Sequence, residues 1–429
     1  MYCGFIVELS GLHKHSNADR LQCVNIFGNN VIVDLSYYEG QKVIFFPVDG
    51  QLDEVFAEQN NLLRKKDERG NSIGGYMDPE KRNIKAIRLR GEKSEGLILP
   101  VEVLTPYTDI DSLRIGEKIS TLNGVEICKK YIPKRTSHSY QNGKSKSNSK
   151  SKTNKFPIFK EHIDTEQLMY NKSAFHPGDK CIISLKMHGT SARTSNSIEE
   201  ITKWRWYHKM FRQNPRVDRQ WKPVTGTRRV ILDNFNDKDG YYGNNAFRKP
   251  YHDFFAERLE KGETAYYEIV GYVDSHTPIM GSVSTKKLQD KELRKLYGET
   301  MVFSYGCSEG MNDIYVYRMT MTNEDGHVVE YPDWLMRLRC EQMGVKCVPK
   351  YDEFVFTTWE DLMERVEKYY DGPDPIGGTH CKEGIVIRIE NREKFKAYKH
   401  KNFTFKVVSG LISETIDTEN MSDDMLSEL

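Results

Sequence analysis

The chain has 429 residues, 38% hydrophobic and 29% charged, with a net charge of +1 at pH 7. That length supports two or three domains with cores of their own, and the composition reads as an ordinary soluble protein rather than a disordered or fibrous one. No run approaches eighteen apolar residues, and Met1-Tyr2-Cys3-Gly4-Phe5 lacks the basic and apolar regions of a signal peptide, so a transmembrane helix and secretion are both unexpected and the cytoplasm is the expected location.

In chain order, residues 1–128 read as a β-rich domain. Short apolar or alternating runs at 21–27, 30–35, 41–47, 84–89 and 96–99 are separated by the turn signals Gly28-Asn29-Asn30, Glu39-Gly40 and Arg90-Gly91. Short strands at this spacing suit an OB-type β-barrel, used either for nucleic-acid contact or only for packing. His15-Ser16-Asn17-Ala18-Asp19-Arg20-Leu21 resembles the entry of OB domains that bind tRNA, and Arg88-Leu89-Arg90-Gly91 with Ser94-Glu95-Gly96-Leu97-Ile98-Leu99-Pro100 is similar to the same family. Residues 129–155 carry nine Lys or Arg and no acid in a Ser/Asn-rich context that cannot bury a core. They are expected to be a basic flexible linker, able to hold RNA phosphates through counterion release or simply to stay solvated. Residues 411–429 carry six acids and no base, the composition of a solvated tail.

Residues 156–410 mix strand and helix patterns, as in an α+β domain. Helices are expected at 252–261, 284–297, 332–343 and 358–370, and strands at 265–273, 301–305, 313–322 and 384–389. The eight cysteines form no C-x-x-C pair and no zinc-type spacing, and His380-Cys381 are adjacent rather than spaced. Cysteine is therefore expected as a small apolar residue in a reducing compartment. No G-x-x-x-x-G-K-[ST] phosphate loop is present.

Lys186-Met187-His188-Gly189, followed by Thr190-Ser191, closes the apolar run Cys181-Ile182-Ile183-Ser184-Leu185. A lysine where a strand gives way to a glycine turn can be partly desolvated, and a desolvated amine becomes a nucleophile. Five further elements follow. Gly226-Thr227-Arg228-Arg229-Val230 places paired cations beside a strand. Tyr266-Tyr267-Glu268-Ile269-Val270-Gly271 carries a carboxylate in an apolar strand, and Asp313-Ile314-Tyr315-Val316-Tyr317-Arg318 is an aromatic strand. Lys382-Glu383-Gly384-Ile385-Val386-Ile387-Arg388 carries a second carboxylate at a strand entry. Tyr398-Lys399-His400-Lys401-Asn402 puts two lysines on one strand face.

Taken in order over residues 180–402, these elements resemble the nucleotidyltransferase motifs of the ATP-dependent polynucleotide ligases, in particular nick-sealing RNA ligases with an N-terminal OB domain. The resemblance implies an ATP-grasp-like covalent nucleotidyltransferase domain that uses ATP, with Mg²⁺ or Mn²⁺ as cofactor, to join RNA 3′-hydroxyl and 5′-phosphate ends. It implies that Lys186 carries AMP, that Lys186 to Gly189, including His188, face the nucleotide, and that Arg228 or Arg229 binds the AMP phosphate or the RNA 5′-phosphate. Glu268 and Glu383 would hold the metal, Glu268 also reaching the ribose. Tyr317 would stack on adenine, and Lys399 and Lys401 would offset charge on the phosphates. RNA is the implied partner, and the chain is expected to be a monomer.

His188 stands where many ligases have aspartate, which removes a carboxylate from that position and narrows the subfamily. The Gly226-Thr227-Arg228 pattern favours Arg228 over Arg229. DNA ligases and capping enzymes share the motifs but carry an OB domain after the last one, whereas 28 polar and acidic residues follow Lys401 here. The reading from a different class is a non-catalytic RNA-binding protein built on a decayed ligase fold.

Overall fold

The computed structural model describes residues 2–65, 74–131, 155–163, 165–203, 216–232, 234–236, 242, 245–288, 290–390 and 392–409. The expected acidic tail and most of the expected basic linker lie outside the described residues. The described residues fall into two compact units, one made of those within 1–142 with 286–291 and 406–409, the other of those within 143–285 and 292–405. Strands dominate both, in an α+β arrangement.

The first unit is built on a four-stranded antiparallel sheet whose order is Lys118–Ile119, Gly4–Glu8, Lys42–Phe46 and Leu97–Pro100. Val43, Ile44, Phe45 and Phe46 are all fully buried, so this strand reads as a continuous apolar run and not as an alternation. A second sheet joins His13–Lys14, Leu21–Ile26 and Asn29–Asp34. Its hairpin turns at Phe27-Gly28, both with positive φ (52° and 76°). This is the two-residue geometry that matches strand twist, and it ends the strand one residue before the expected Phe27.

Ala86–Leu89 and Glu92–Glu95 make a third hairpin. The expected strands are present, yet no closed barrel forms among the described residues. Gly96, between the hairpin and the four-stranded sheet, adopts φ +142°, where a Cβ would lie 2.4 Å from Cε2 of Phe45. There the chain leaves the polar hairpin strand Glu92–Glu95 and enters the four-stranded sheet as Leu97–Pro100. Lys129 and Lys130, expected in the linker, belong to the strand Cys128–Lys130, which pairs with Gly50–Leu52.

The second unit contains two five-stranded sheets. The first has the order Glu166–Gln167, Lys396–Lys401, Gly384–Ile389, Lys180–Lys186 and Lys350–Val355, antiparallel except for its first pair. The second runs Arg216–Gly226, Thr190–Lys203, Glu263–Gly271, Asn312–Thr322 and Val328–Glu330, antiparallel throughout. Ile183, Ile385, Ile387 and Leu362 centre the core of the first; Ala265, Tyr267, Val316 and Met319 centre that of the second.

Helices Asp333–Met343 and Trp359–Tyr369 fall where their sequence signals place them. Gly344 ends the first in the left-handed region, and the Thr358 side chain accepts from Asp361 N–H at the start of the second. The expected helix 252–261 instead occupies Lys249–Ala256, with Pro250 in its first turn, where the missing N–H costs nothing. The expected helix 284–297 is divided into the strand Val283–Ser284, a 3₁₀ turn Thr285–Lys287 and the helix Lys291–Tyr297. The expected strand 301–305 is only Thr300–Met301, because a tight turn at Tyr305-Gly306 takes over. No described helix is long and apolar enough to cross a membrane.

Candidate active site

The end of the Lys180–Lys186 strand lies beside the start of Gly384–Ile389, with Lys186 opposite Gly384 and Gly384 opposite Lys401. Gly384 has φ +144°, and a Cβ there would lie 2.0 Å from the His400 carbonyl oxygen. Only glycine lets the strand pass this close, and the passage brings Glu383 between the two lysines. Lys186 Nζ donates to Glu383 Oε2 at 2.6 Å, Lys401 Nζ lies 3.5 Å from Oε1, and His188 Nδ1 lies 3.6 Å from Oε2. Glu383 is 4% exposed. Burial alone would raise its carboxyl, but Lys186, His188 and Lys401 hold it well below the usual carboxylate range. Lys399 shares a strand face with Lys401 by alternation. On the opposite face, Tyr398 enters the core and His400 packs on Tyr370.

The second sheet supplies the other wall. Ser191 is the register partner of Glu268, and its hydroxyl donates to Glu268 Oε2 at 2.9 Å. Burial and the nearby Glu383 charge push the Glu268 carboxyl up to about 7, against Lys186, the Ser191 hydroxyl and Arg228. Gly189 fits because the backbone passes close to Glu263–Gly271: a Cβ would lie 2.3 Å from Ile269 O and 3.0 Å from Glu268 Cγ. Tyr317 falls in a bulge, since Tyr266 faces Arg318 while Tyr267 faces Val316. The extra residue re-aims its side chain toward Ser191 and Glu268. Burial raises its phenol, so it stays neutral.

Arg228 and Arg229 sit together on an exposed turn. Arg228 is the one whose charge reaches Glu268, Tyr317 and His162. Lys186, His188, Glu383 and Lys401 thus converge on the first sheet, and Gly189, Glu268, Tyr317 and Arg228 on the second, with Ser191 linking Glu268 to the glycine turn.

Three contributors carry no readable sequence signal. Arg248 is 2% exposed and donates to Asn245 Oδ1 (3.1 Å), Ser191 O (3.2 Å) and Thr190 Oγ1 (2.7 Å), pinning the strand that follows Gly189. Arg193, also buried, donates to Thr227 O at 3.1 Å and so fixes the turn that carries Arg228. His162 packs edge-on against Tyr317 (5.2 Å) and accepts from Arg318 Nη1 through Nδ1 at 3.3 Å. Two arginines, one in a Ser/Thr-rich strand and one in a 3₁₀ turn, and a histidine in a loop look like surface residues until the fold closes over them.

Burial, with the charges of Arg318, Arg228 and Arg193, lowers His162 to about 3. An unfolded histidine titrates near 6.5. Between those values the unfolded chain binds the extra proton, so the stability His162 contributes is full above pH 6.5 and is lost as pH falls toward 3. A His162→Gln variant, which keeps an acceptor for Arg318, is expected to be less stable than the parent at pH 7. The gap in melting temperature should narrow steadily toward pH 4. A gap that does not change with pH would place a charged histidine in the folded state.

Among the described residues no group of three or more His, Cys, Asp or Glu side chains is arranged to hold a metal. Two carboxylates, one deprotonated amid cations and one raised by burial, fit instead a hard divalent cation that takes one or two protein oxygens and completes its shell with phosphate and water.

The first sheet thus sets a strand-end lysine against a buried carboxylate, and the second brings the carboxylate of Glu268 within reach of the same lysine. No family model and no curated protein matches the chain by sequence. Solved structures of Naegleria gruberi RNA ligase do match it in fold. A mutant with ATP and Mn superposes with a TM-score of 0.57 at 15% identity, covering 96% of this chain and 98% of that one. The form with PPi gives 0.55 at 15% identity over 95% and 98%. Another mutant with AMP and Mn gives 0.55 at 14% identity over 93% and 96%. The chain therefore has the fold of an RNA ligase over nearly its whole length.

Proposed function

We propose that this protein is an ATP-dependent RNA ligase that joins an RNA 3′-hydroxyl to a 5′-phosphate. The observation that carries the reading is the contact of Lys186 Nζ with the buried Glu383 at 2.6 Å, at the end of a strand and beside Lys401. The fold shared with an RNA ligase crystallised with ATP, AMP and PPi supports the same chemistry.

In the first step the Lys186 amine, having given up a proton, attacks the α-phosphate of ATP. A P–N bond forms, the α–β P–O bond breaks, and pyrophosphate leaves. In the second, an oxygen of the RNA 5′-phosphate displaces Lys186, forming a pyrophosphate link to AMP and returning the lysine. In the third, the 3′-hydroxyl attacks the activated 5′-phosphate, a phosphodiester forms and AMP leaves. Glu383 orients Lys186 and balances Lys401. Lys399 and Lys401 offset charge growing on the phosphates, and Arg228 offers a planar fork to a phosphate. Tyr317 provides an aromatic face for adenine, and Glu268 accepts from the ribose or takes part in metal binding. A Mg²⁺ or Mn²⁺ ion held by Glu268 and Glu383 would supply Lewis-acid polarisation of the phosphates.

Incubation with α-labelled ATP and Mg²⁺, followed by a denaturing gel and peptide mapping, tests the reading. The expected result is an acid-labile AMP adduct on Lys186. The absence of an adduct with ATP, GTP or NAD would favour a non-catalytic RNA-binding protein.

The first unit and the nine-cation tract at 129–155 serve, in this reading, to hold RNA. Counterion release then makes RNA sealing at limiting RNA fall steeply between 50 and 200 mM salt, on the order of 10³-fold if six or more phosphates are held. Adenylylation by saturating ATP is expected to change far less. Equal salt dependence of the two would remove the RNA-holding role.

A further inference from the structure

The turn Ser304 to Cys307 closes with Cys307 N–H donating to Ser304 O at 3.0 Å. Its two central residues, Tyr305 and Gly306, both have positive φ, 52° and 76°. Such turns favour Asn-Gly, because a bulky side chain resists the left-handed region. Tyrosine at the first central position is thus a locally unfavourable choice that its surroundings hold in place. Asp374 Oδ2 accepts from Ile376 N–H (3.0 Å) and Gly377 N–H (2.7 Å), and a Cβ on Gly377 would lie 2.5 Å from Gly306 N. The 374–378 loop is therefore seated directly against the turn.

What this strain secures is a hydrogen bond. Tyr305 is 3% exposed, and its hydroxyl accepts from His188 N–H at 2.6 Å. The His188 ring stands edge-on between Phe303 and Phe405, each 4.7 Å away, and the Tyr305 ring stands edge-on to the fully buried His380 at 4.4 Å. The only backbone between that N–H and the Lys186 Cα is Met187. A residue strained in the backbone at such a place points to function when its neighbours over-determine it.

We infer that Tyr305 is a positioning residue for lysine adenylylation: its hydroxyl fixes the Met187–His188 peptide and so sets the line along which Lys186 approaches the α-phosphate. The inference rests on the ligase reading above. Burial keeps the phenol neutral, so it presents the same oxygen across the working pH range. The third ligation step does not use the lysine as nucleophile, so it is insensitive to this contact.

The test is Tyr305→Phe, which removes one oxygen. Expected are a fall in single-turnover adenylylation at saturating ATP of about tenfold to a hundredfold, the scale of a misaligned nucleophile, and an unchanged KM for ATP. Sealing of an RNA already carrying a 5′-adenylate should stay within about twofold of the parent, since its chemistry bypasses Lys186. Wild-type adenylylation in the variant would overturn the inference. So would an equal fall in both steps, the mark of a merely structural role. Tyr305→Asn, better suited to the left-handed backbone but too short to reach His188, guards against poor folding of the phenylalanine variant. It is expected to lose adenylylation in the same selective way, and wild-type adenylylation in it would equally overturn the inference. A parent protein that takes no label would instead refute the ligase reading itself.

Discussion

Replacing Lys186 with alanine is expected to abolish transfer of AMP from ATP to the protein, while sealing of a pre-adenylylated RNA remains measurable. The proposed reaction assigns the P–N bond to this amine, which donates to Glu383 Oε2 at 2.6 Å from the strand end, so little activity should survive in the first step. Nucleophile removal of this kind costs several orders of magnitude. In the proposed reaction the third step would use the 3′-hydroxyl as nucleophile and AMP as leaving group, and so would need only the phosphate-binding and base-binding walls. The variant should fold, because Glu383 keeps Lys401 at 3.5 Å and His188 at 3.6 Å when Lys186 is gone. Labelling at the parent level in Lys186→Ala would place the covalent nucleotide elsewhere and end the assignment. Loss of all three steps together, with a lowered melting temperature, would mean that Lys186 is mainly structural.

What the sequence made legible was the part written in local pattern. The Gly384–Ile389 strand follows from six residues with a continuous apolar face, and it appears with those bounds. The helices at Asp333–Met343 and Trp359–Tyr369 follow from their periodicity and ends. The order of Lys186, Arg228, Glu268, Tyr317, Glu383, Lys399 and Lys401 was enough to anticipate that they share one domain.

The contacts of Arg248 and Arg193 were not legible, because their meaning lies in carbonyl oxygens 34 or more residues away, at Ser191 and Thr227. Nor was the Tyr305 turn. Local propensity there favours asparagine, and the residues that enforce the conformation sit about seventy positions downstream, at Gly377. Nor was the change of sheet at Gly96 legible: it reads as ordinary turn punctuation, whereas at its φ of +142° the chain passes from the Glu92–Glu95 hairpin strand into the four-stranded sheet.

Glu383→Gln is expected to be the most damaging single change to the site as a whole. Lys186, Lys401 and His188 all converge on this buried carboxylate. An amide keeps the shape but leaves cations facing one another in a partly dehydrated place. Breaking a buried ion pair from one side costs about 3–5 kcal/mol, which for a unit of this size lowers the melting temperature by roughly 10 °C. Adenylylation is expected to fall by at least about a hundredfold, because Lys186 loses the partner that aims it.

A double variant separates the two effects. In Lys186→Ala with Glu383→Gln, one of the stranded cations is gone. The pair is in direct contact, so the two changes should not add. The double variant is expected to be more stable than Glu383→Gln alone, yet, like Lys186→Ala, unable to take label from ATP. If the two losses of stability simply add, the 2.6 Å contact contributes nothing specific. If Glu383→Gln alone adenylylates Lys186 at the parent rate, the carboxylate is scaffolding, and the lysine must be aimed by the His188 loop and Tyr305 without it.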